Sequence, residues 1–267
     1  MRIQNHKTIV LGCGFLGSEF ERHGYDVLGR GAFLWPGSLD VLEPFDTIIN
    51  CIGNADTRAC EHAENWREVS LVNTELVAAL SNHAHRKGKR LVHISTGCVY
   101  DRNNAPQCED GKVSSHCRYV VSKLAAEYAC HADDLILRPR LYFSAAPDKN
   151  NLLCKLPAFS KHLTEINSYT STRTIVEATT ALLSAGQSGI FNVAQTGYAS
   201  IAQISSKLGL PARPRLDGVE LQREQGLGLV NNIMDVSKLE AFYQPRELLE
   251  EMAECWQQLG GSKLRAG

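Results

Sequence analysis

The sequence lacks three features that would assign it to a class at once: a long apolar run, a disulfide or zinc pattern, and a strong charge of one sign. No run reaches the roughly 18 apolar residues of a membrane span, and the N-terminus shows no signal-peptide pattern. The nine cysteines are an odd number without a Cys-x-x-Cys pair, which predicts reduced thiols. A net charge of −1 gives no indication of a nucleic-acid or membrane partner. We therefore expect a soluble, cytoplasmic protein with no bound metal.

What is present is an alternation of short apolar runs with helical patterns. The 267 residues can hold one large domain, or one domain with a smaller lobe, around a sizeable core. Alternation of this kind predicts an α/β fold with a Rossmann-type, doubly wound parallel sheet and right-handed crossovers. The predicted strands are 7–11, 25–30, 46–53, 90–96, 134–139 and 189–194, and helical patterns cover 18–23, about 64–84 and the segment from about 117.

A glycine-rich turn follows the first predicted strand. Residues 12–17 read Gly-Cys-Gly-Phe-Leu-Gly, and a helical pattern follows directly. In this context the three glycines permit the tight turn, the approach of a pyrophosphate to the backbone, and close packing of helix on strand. The N–H groups at the helix start then bind the anion. The predicted cofactor contacts here are Gly12, Gly14, Phe15, Leu16 and Gly17, with a glycine turn that binds nothing as the alternative.

The second predicted strand ends without the carboxylate that would bind an NAD ribose. Asp26 lies at the start of that strand, and Arg30 stands at its end. An arginine at this place can pair with a 2′-phosphate, which favours NADP(H) over NAD(H); a solvated loop charge is the alternative. Asp40 is a candidate for a hydrogen bond to the adenine, although an ordinary turn aspartate fits the pattern nearly as well.

Two later strands end in small or hydroxyl residues. In open α/β sheets, ligands bind outside the carboxyl ends of the strands. The hydroxyls of Ser95 and Thr96 stand at one such end, and His93, in the middle of the same strand, is interpreted as a packed core residue. The other end contributes three further predicted cofactor contacts, which are Cys51, Ile52 and Gly53.

Tyr119 and Lys123 lie four residues apart in a predicted helix, so that both project from one face. A phenol titrates near pH ~10 and is a poor acid or base at neutral pH unless its phenolate is stabilised. A nearby lysine ammonium, or the positive ring of an oxidised nicotinamide, supplies that stabilisation. By itself the pair also fits two ordinary surface residues of a helix.

Taken together, these motifs resemble the extended short-chain dehydrogenase/reductase family. The sequence looks most like the branch of dTDP-4-dehydrorhamnose reductase, with nucleotide-sugar epimerases next, and the resemblance runs through nearly the whole chain. The segments that carry it are 49–56 with Glu61, Val72 with Asn73, 91–101, Tyr119 with Lys123, 137–139, 189–194 and 235–239.

The resemblance implies a hydride moving between the nicotinamide and a carbon that bears oxygen. Tyr119 would act as general acid, Lys123 would lower its pKa and bind the nicotinamide ribose, and Thr96 would position the substrate oxygen. Asn73 would help to order a proton-relay water. Gly97 and Cys98 follow Thr96 where a dehydratase would want an acidic residue, which argues against a dehydratase.

Two departures from the family pattern affect the cofactor turn and the substrate region. Leu11 stands where the family usually has another glycine, and residues 139–144 differ from the usual run. The resemblance implies a nucleotide-binding domain of 1–145 plus about 168–195, and a substrate lobe of about 146–167 plus 196–267. In that lobe the cations considered for a sugar diphosphate are Lys155, His162, Arg173 and Arg215, each also interpretable as a solvated surface charge.

Three functions stay open at this point. The first is an NADPH-dependent reductase of a 4-keto nucleotide sugar, with a role in polysaccharide biosynthesis. The second is a redox-neutral nucleotide-sugar epimerase, and the third is a non-catalytic regulatory or binding subunit on the same fold. The expected partner is a small nucleotide-sugar substrate, not nucleic acid or membrane, and a homodimer is left open.

Overall fold

A computed structural model describes residues 7–29, 31–102, 105–114, 117–220 and 231–261. Contact clustering divides the chain into two compact units. Unit 1 contains Met1–Val99, Ser114–Arg138 and Thr179–Phe191, and unit 2 contains Tyr100–Val113, Pro139–Ala178 and Asn192–Gly267. Residues 100–113, 139–145, 168–178 and 192–195, which the sequence-based division gave to the nucleotide-binding part, are thus in unit 2.

The main sheet has six strands in the order β10-β6-β4-β3-β1-β2. Its members are β1 (Thr8–Leu11), β2 (Asp26–Leu28), β3 (Thr47–Asn50), β4 (Arg90–Ile94), β6 (Leu135–Pro139) and β10 (Gly189–Val193). The pairs β1–β2, β1–β3, β3–β4 and β4–β6 are all parallel. The predicted α/β, Rossmann-type parallel sheet is confirmed, and each of its predicted strands is present with slightly shorter bounds.

The helices that accompany the sheet in unit 1 are α1 (Phe15–Arg22), α2 (Thr57–Glu61), α3 (Trp66–Ser70), α4 (Leu76–Lys87) and α5 (Arg118–Ala129). A π-helical turn, Leu71–Glu75, joins α3 to α4. Short 3₁₀ turns lie at Asp40–Leu42, Ala63–Asn65 and Gly97–Val99. Helix α4 ends at Gly88, whose φ of 62° provides the left-handed C-cap that glycine adopts without steric cost.

Unit 1 has its own apolar core between the sheet and these helices. Parallel strands are buried on both faces, so they read as continuous apolar runs, as β1 and β3 do. One core cluster consists of Ile9, Leu11, Phe33, Leu42, Ile48, Leu76, Leu80, Ala84 and Leu91. Seven of its members come from β1, β3, β4 and α4, and Phe33 and Leu42 come from the segment between β2 and β3.

Unit 2 contains shorter elements around a second core. Its strands are β5 (Pro106–Gln107), β7 (Tyr142–Phe143), β8 (His162–Leu163), β9 (Thr170–Ser171), β11 (Arg215–Leu216) and β12 (Ile233–Met234). Its helices are α6 (Leu152–Lys155), α8 (Ile201–Lys207), α9 (Ser237–Glu240) and α10 (Leu248–Gln258), with a 3₁₀ turn at Leu156–Ala158; α7 (Thr172–Ser184) runs from unit 2 into unit 1.

Two predicted features of the C-terminal region are present in unit 2. Ser200 is the N-cap of α8, and with Gln203 it forms a reciprocal capping box. Helix α10 buries Leu248, Met252 and Trp256 in the core of unit 2, so its apolar stripe serves packing within the chain. All nine cysteines are free thiols. Among the described residues, no helix combines the length and apolar character needed to cross a membrane.

Candidate active site at the carboxyl ends of the strands

The glycine turn lies between β1 and α1, as its sequence predicts. Gly12 has a φ of 100°, which glycine adopts at no steric cost. Its N–H donates to the Leu28 carbonyl at 2.8 Å, which ties the turn to the end of β2. A Cβ at Gly12 would lie 3.0 Å from the Ile52 side chain, so the turn also touches the segment after β3.

Gly17 is required by a close approach of backbone to backbone. A Cβ there would lie 1.7 Å from the carbonyl oxygen of Gly12, a distance that no side chain can occupy. Gly14, the exposed N-cap of α1, leaves the N–H groups at the helix start available to an anion. Phe15 is half-buried and Leu16 is buried. Gly17 therefore allows α1 to pack closely on the turn, and the N–H groups at the start of α1 could hold the pyrophosphate of a dinucleotide.

Two residues were proposed to bind the adenosine half of the cofactor, Arg30 and Asp40. Arg30 lies outside the described residues. Asp40 begins an exposed 3₁₀ turn, where its own N–H is bonded to the Ser38 hydroxyl at 3.1 Å. Their roles stay predictions from the sequence.

The segment after β3 is held in place by the buried Asn73 side chain. Asn73 Oδ1 accepts the N–H of Asn54 at 2.7 Å, and Asn73 Nδ2 donates to the Asn54 carbonyl at 3.0 Å and to the Ser122 hydroxyl at 3.0 Å. Asn73 lies in the π-helical turn, a distortion that often accompanies functional sites. Its amide therefore connects the loop containing Cys51, Ile52 and Gly53 to helix α5.

Thr96 and Tyr119 meet at the carboxyl end of β4. The Thr96 hydroxyl lies near enough to the phenol to lower its pKa, and only 5% of Thr96 and 8% of Tyr119 is exposed. Thr96 Oγ1 also accepts the N–H of Cys98 at 3.1 Å, which fixes its rotamer. The pair leaves a small solvent-facing area of phenol beside a fixed hydroxyl, the arrangement needed to position one oxygen of a substrate.

The environment of Tyr119 raises its pKa above the ordinary value. Burial is the main cause, and the nearby thiols of Cys98, Cys60 and Cys117 add to it, while the hydrogen bond with Thr96 acts in the opposite direction. The lowering of this pKa that the resemblance implies for Lys123 stays a prediction. In this structure the Lys123 ammonium donates to the carbonyl oxygen of Ile94.

Lys123 is buried although it carries a charge. Its Nζ donates to the Ile94 carbonyl at 2.7 Å and lies 3.4 Å from Nε2 of His93. Burial lowers the pKa of Lys123 to about 8, against the opposing attraction of Glu127. Gly53 lies close by, because a Cβ there would be 4.0 Å from Nζ and 3.4 Å from Asn73 Oδ1.

Several residues that complete the site were not predicted. Asn50 and His93 contact each other beside Lys123, Asn54 and Ser122 anchor Asn73, and Glu127 accepts from Ser95. One signal for Asn50 was present in the sequence, because it is the polar residue that ends an otherwise apolar strand. His93 is completely buried, which confirms its interpretation as a core histidine.

The cations considered in the predicted substrate lobe differ in their surroundings. Lys155 and Arg215 are exposed. His162 is buried, and its Nε2 lies 3.3 Å from the Ser205 hydroxyl. Arg173 is 3.4 Å from the buried carboxylate of Glu251. Lys155 and Arg215 are thus the members of this set that present their side chains most openly to a ligand.

One described group has the residue types of a metal site: His85, His131 and Asp133. The two imidazole rings are stacked at 4.0 Å with an interplanar angle of 5°. Lone pairs of imidazole lie in the ring plane, so two parallel rings do not direct them at one ion. This geometry does not favour metal binding.

Comparison with known proteins supports the family resemblance. Residues 38–135 match the model of the NAD dependent epimerase/dehydratase family. A search of curated protein sequences found no match. The matched segment contains β3, β4, Asn73, Thr96, Tyr119 and Lys123.

Several solved structures share the fold over almost their full length. A UDP-rhamnose synthase from Acanthamoeba polyphaga mimivirus superposes with a TM-score of 0.81 at 17% identity, covering 95% of this chain and 99% of that one. The dTDP-4-dehydrorhamnose reductase of Bacillus anthracis, in complex with NADP, superposes with a TM-score of 0.80 at 16% identity, covering 95% of this chain and 99% of that one. The UDP-glucuronic acid 4-epimerase of Bacillus cereus, in complex with NAD, superposes with a TM-score of 0.76 at 18% identity, covering 96% of this chain and 99% of that one.

At these identities the superpositions establish the fold, and the family model adds the sequence match over the segment that carries the site. The family model thus confirms the predicted resemblance over residues 38–135, and the superpositions confirm the fold.

Proposed function

We propose that this protein is an NADPH-dependent reductase of a carbonyl on a nucleotide-activated sugar of the 4-keto class. The observation that carries the proposal is that Thr96 and Tyr119 are both buried and close together at the end of β4, with Lys123 one turn along α5. The substrate class is supported by the similar proteins, since their names include a reductase of dTDP-4-dehydrorhamnose and enzymes of UDP-sugars.

The proposed reaction adds a hydride to the carbonyl carbon and a proton to its oxygen. When bound, the nicotinamide supplies the hydride. Tyr119 keeps its phenolic proton at neutral pH because burial raises its pKa, and it donates that proton to the substrate oxygen as general acid. Thr96 donates a hydrogen bond to the same oxygen and fixes its distance from the phenol.

Lys123 and Asn73 have supporting roles in this proposal. Lys123 holds the hydroxyls of the nicotinamide ribose and stabilises the phenolate left after proton transfer. Asn73 uses both amide hydrogens on Asn54 and Ser122, and its Oδ1 keeps a second lone pair for a water that returns a proton to Tyr119. The loop of Cys51, Ile52 and Gly53 lies beside Lys123 and provides the backbone surface for the ribose.

For the cofactor we propose NADP(H) over NAD(H), on the basis of Arg30. The similar proteins do not decide this point, since one is complexed with NADP and another with NAD. We expect Arg30→Ala to weaken NADPH binding by about tenfold, the size of one lost charged contact, and to change NADH binding little. Titration of both reduced cofactors by fluorescence measures this, and an equal loss for both would mean that Arg30 does not bind the 2′-phosphate.

The decisive experiment follows the absorbance of NADPH with purified protein and a panel of 4-keto nucleotide sugars that includes dTDP-4-dehydrorhamnose. Steady consumption with one substrate establishes the reductase. Tyr119→Phe is the matched control, because it removes one oxygen atom. We expect it to lose about 10²–10⁴-fold in kcat while NADPH binding stays nearly unchanged. Full activity of Tyr119→Phe would refute the mechanism.

A redox-neutral epimerase is the second candidate, supported by the description of the family model and by the similarity to the UDP-glucuronic acid 4-epimerase. Such an enzyme interconverts two sugar nucleotides without net consumption of cofactor. Incubation with UDP-glucuronic acid and catalytic NAD(P), followed by chromatography, separates it from the reductase. Tight cofactor binding with neither activity would favour the third candidate, a regulatory subunit.

The assignment of the smaller part of the chain to the substrate is also part of this proposal. Lys155 and Arg215, both exposed on unit 2, are the cations we propose for the sugar diphosphate. A cytoplasmic location and a homodimer complete the proposal as predictions from the sequence.

A further inference from the structure

His93 lies between two hydrogen-bond donors in the interior of unit 1. Its Nε2 is 3.4 Å from Lys123 Nζ, and its Nδ1 is 3.4 Å from Asn50 Nδ2. All three side chains are buried, with His93 and Asn50 completely inaccessible. The ring therefore links the proposed ribose-binding lysine to the last residue of β3.

The orientation of Asn50 follows from the backbone. Asn50 Oδ1 accepts the N–H of Ile52 at 3.1 Å, so the NH₂ group of the amide faces His93. On the other side, a lysine ammonium also offers only donors. A neutral imidazole has one donor and one acceptor, so it can accept from one of these neighbours at a time.

The ring does not resolve this competition by taking up a second proton. Burial and the nearby Lys123 hold the pKa of His93 well below its usual range. The group that titrates is Lys123, which is faced by Glu127 and Cys130 from the α5 side and by Cys51 from the end of β3.

Two arrangements of protons satisfy these limits. With Lys123 charged, the ring proton is on Nδ1, Nε2 accepts from the ammonium, and the Asn50 contact is unsatisfied. With Lys123 neutral, the ring proton is on Nε2, it donates to the amine, and Nδ1 accepts from Asn50. The ring keeps one proton throughout, and the proton lost by Lys123 goes to solvent.

We propose that His93 is a positioning residue for Lys123, and that the tautomer of its neutral ring switches with the charge of Lys123. The ring holds the ammonium at the Ile94 carbonyl. Asn50 contacts both the ring and the Ile52 N–H, so a change in the charge of Lys123 alters the hydrogen bonding of Asn50 at the end of β3. The role in the reaction rests on the proposed function, whereas the tautomer switch does not.

The direct test is NMR of the two ring nitrogens of His93 in ¹⁵N-labelled full-length protein from pH 6 to 10, without substrate. We expect the proton on Nδ1 at low pH and its transfer to Nε2 with a midpoint near the pKa of Lys123, about 8. In Lys123→Met we expect the Nε2-protonated tautomer throughout. A single unchanged tautomer in the wild-type protein, or the same switch in Lys123→Met, would overturn the proposal.

The test by activity uses two variants at His93. His93→Gln keeps an acceptor for the ammonium, and His93→Leu removes it at similar volume. For His93→Leu we expect the basic limb of the kcat/KM profile to shift to lower pH by at least about half a pH unit, because the ammonium loses an acceptor. For His93→Gln we expect a smaller shift. If the basic limb of the kcat/KM profile lies at the same pH in wild-type and His93→Leu, His93 has no role in the reaction. Failure of the proposed function would appear instead as no turnover in wild-type protein, with the tautomer switch still measurable.

Discussion

Two buried cations of unit 1 have opposite surroundings. Arg138, at the end of β6, is bonded to the Glu127 carboxylate, with Nη2 2.6 Å from Oε2 and Nε 3.1 Å from Oε1. Lys123, one helical turn before Glu127 on α5, donates instead to a backbone carbonyl and lies against a neutral imidazole. No described carboxylate forms an ion pair with Lys123.

The difference indicates which cation serves the structure and which serves chemistry. A guanidinium that pairs with a carboxylate through two N–H groups and is only 3% exposed is not accessible to a ligand. A buried ammonium without an ion-pair partner is costly to maintain, and such groups occur mainly where function requires them. The lowered pKa of Lys123 reflects that cost. Arg138 is therefore a structural cation, and Lys123 is the functional one.

The strongest way to test this comparison is to remove Arg138. Arg138→Met leaves the Glu127 carboxylate buried without its partner, and we expect a loss of about 3–5 kcal/mol in the free energy of unfolding. Urea denaturation at pH 7 measures it. The double variant Glu127→Gln with Arg138→Met removes both charges and should recover at least half of the loss. A loss below about 1 kcal/mol for Arg138→Met would contradict the structural role.

Lys123→Met should show the opposite balance between activity and stability. Methionine fills the same buried volume without a charge, so we expect unfolding at pH 7 at an equal or higher urea concentration than wild-type. We expect kcat to fall by about 10²-fold or more, because the charge that stabilises the Tyr119 phenolate is gone. A destabilisation comparable with that of Arg138→Met would show that the two cations are equivalent after all.

The smallest expected effect is the pH dependence of the stability difference between wild-type and Lys123→Met. Lys123 has a pKa of about 8 when folded, below its ordinary value of about 10.4 when unfolded. The unfolded state thus binds more protons between pH 8 and 10, and the cost of burying the charge is relieved as the pH rises through this window. Any advantage of Lys123→Met at pH 7 should shrink by about 1–2 kcal/mol at pH 10. If the difference in free energy of unfolding between the two proteins is constant with pH, burial does not lower the pKa of Lys123.

Much of unit 1 could be predicted because its signals are local. Apolar β-branched runs predicted the strands, and Gly12 and Gly17 predicted the turn. The spacing of four residues placed Tyr119 and Lys123 on one face of a helix. These features depend on neighbours in sequence, and tertiary packing preserved them.

The partners of the site residues could not be predicted, since they come from distant positions. Asn73 bonds Asn54 and Ser122, and His93 lies between Asn50 and Lys123, contacts that span 19 to 49 residues. Sequence spacing gives no direction for a side chain across two different elements. For that reason the sequence could not predict that burial dominates the pKa of Tyr119 and raises it.

The sequence by itself determined the parallel α/β fold, the glycine turn and the identity of the residues at the strand ends, because hydrophobic periodicity and backbone sterics act locally. Only the tertiary structure decided that Lys123 is buried against a carbonyl and a neutral ring, and that the Glu127 carboxylate pairs with Arg138. Burial sets the cost of every charge, and burial exists only once the strands and helices have packed.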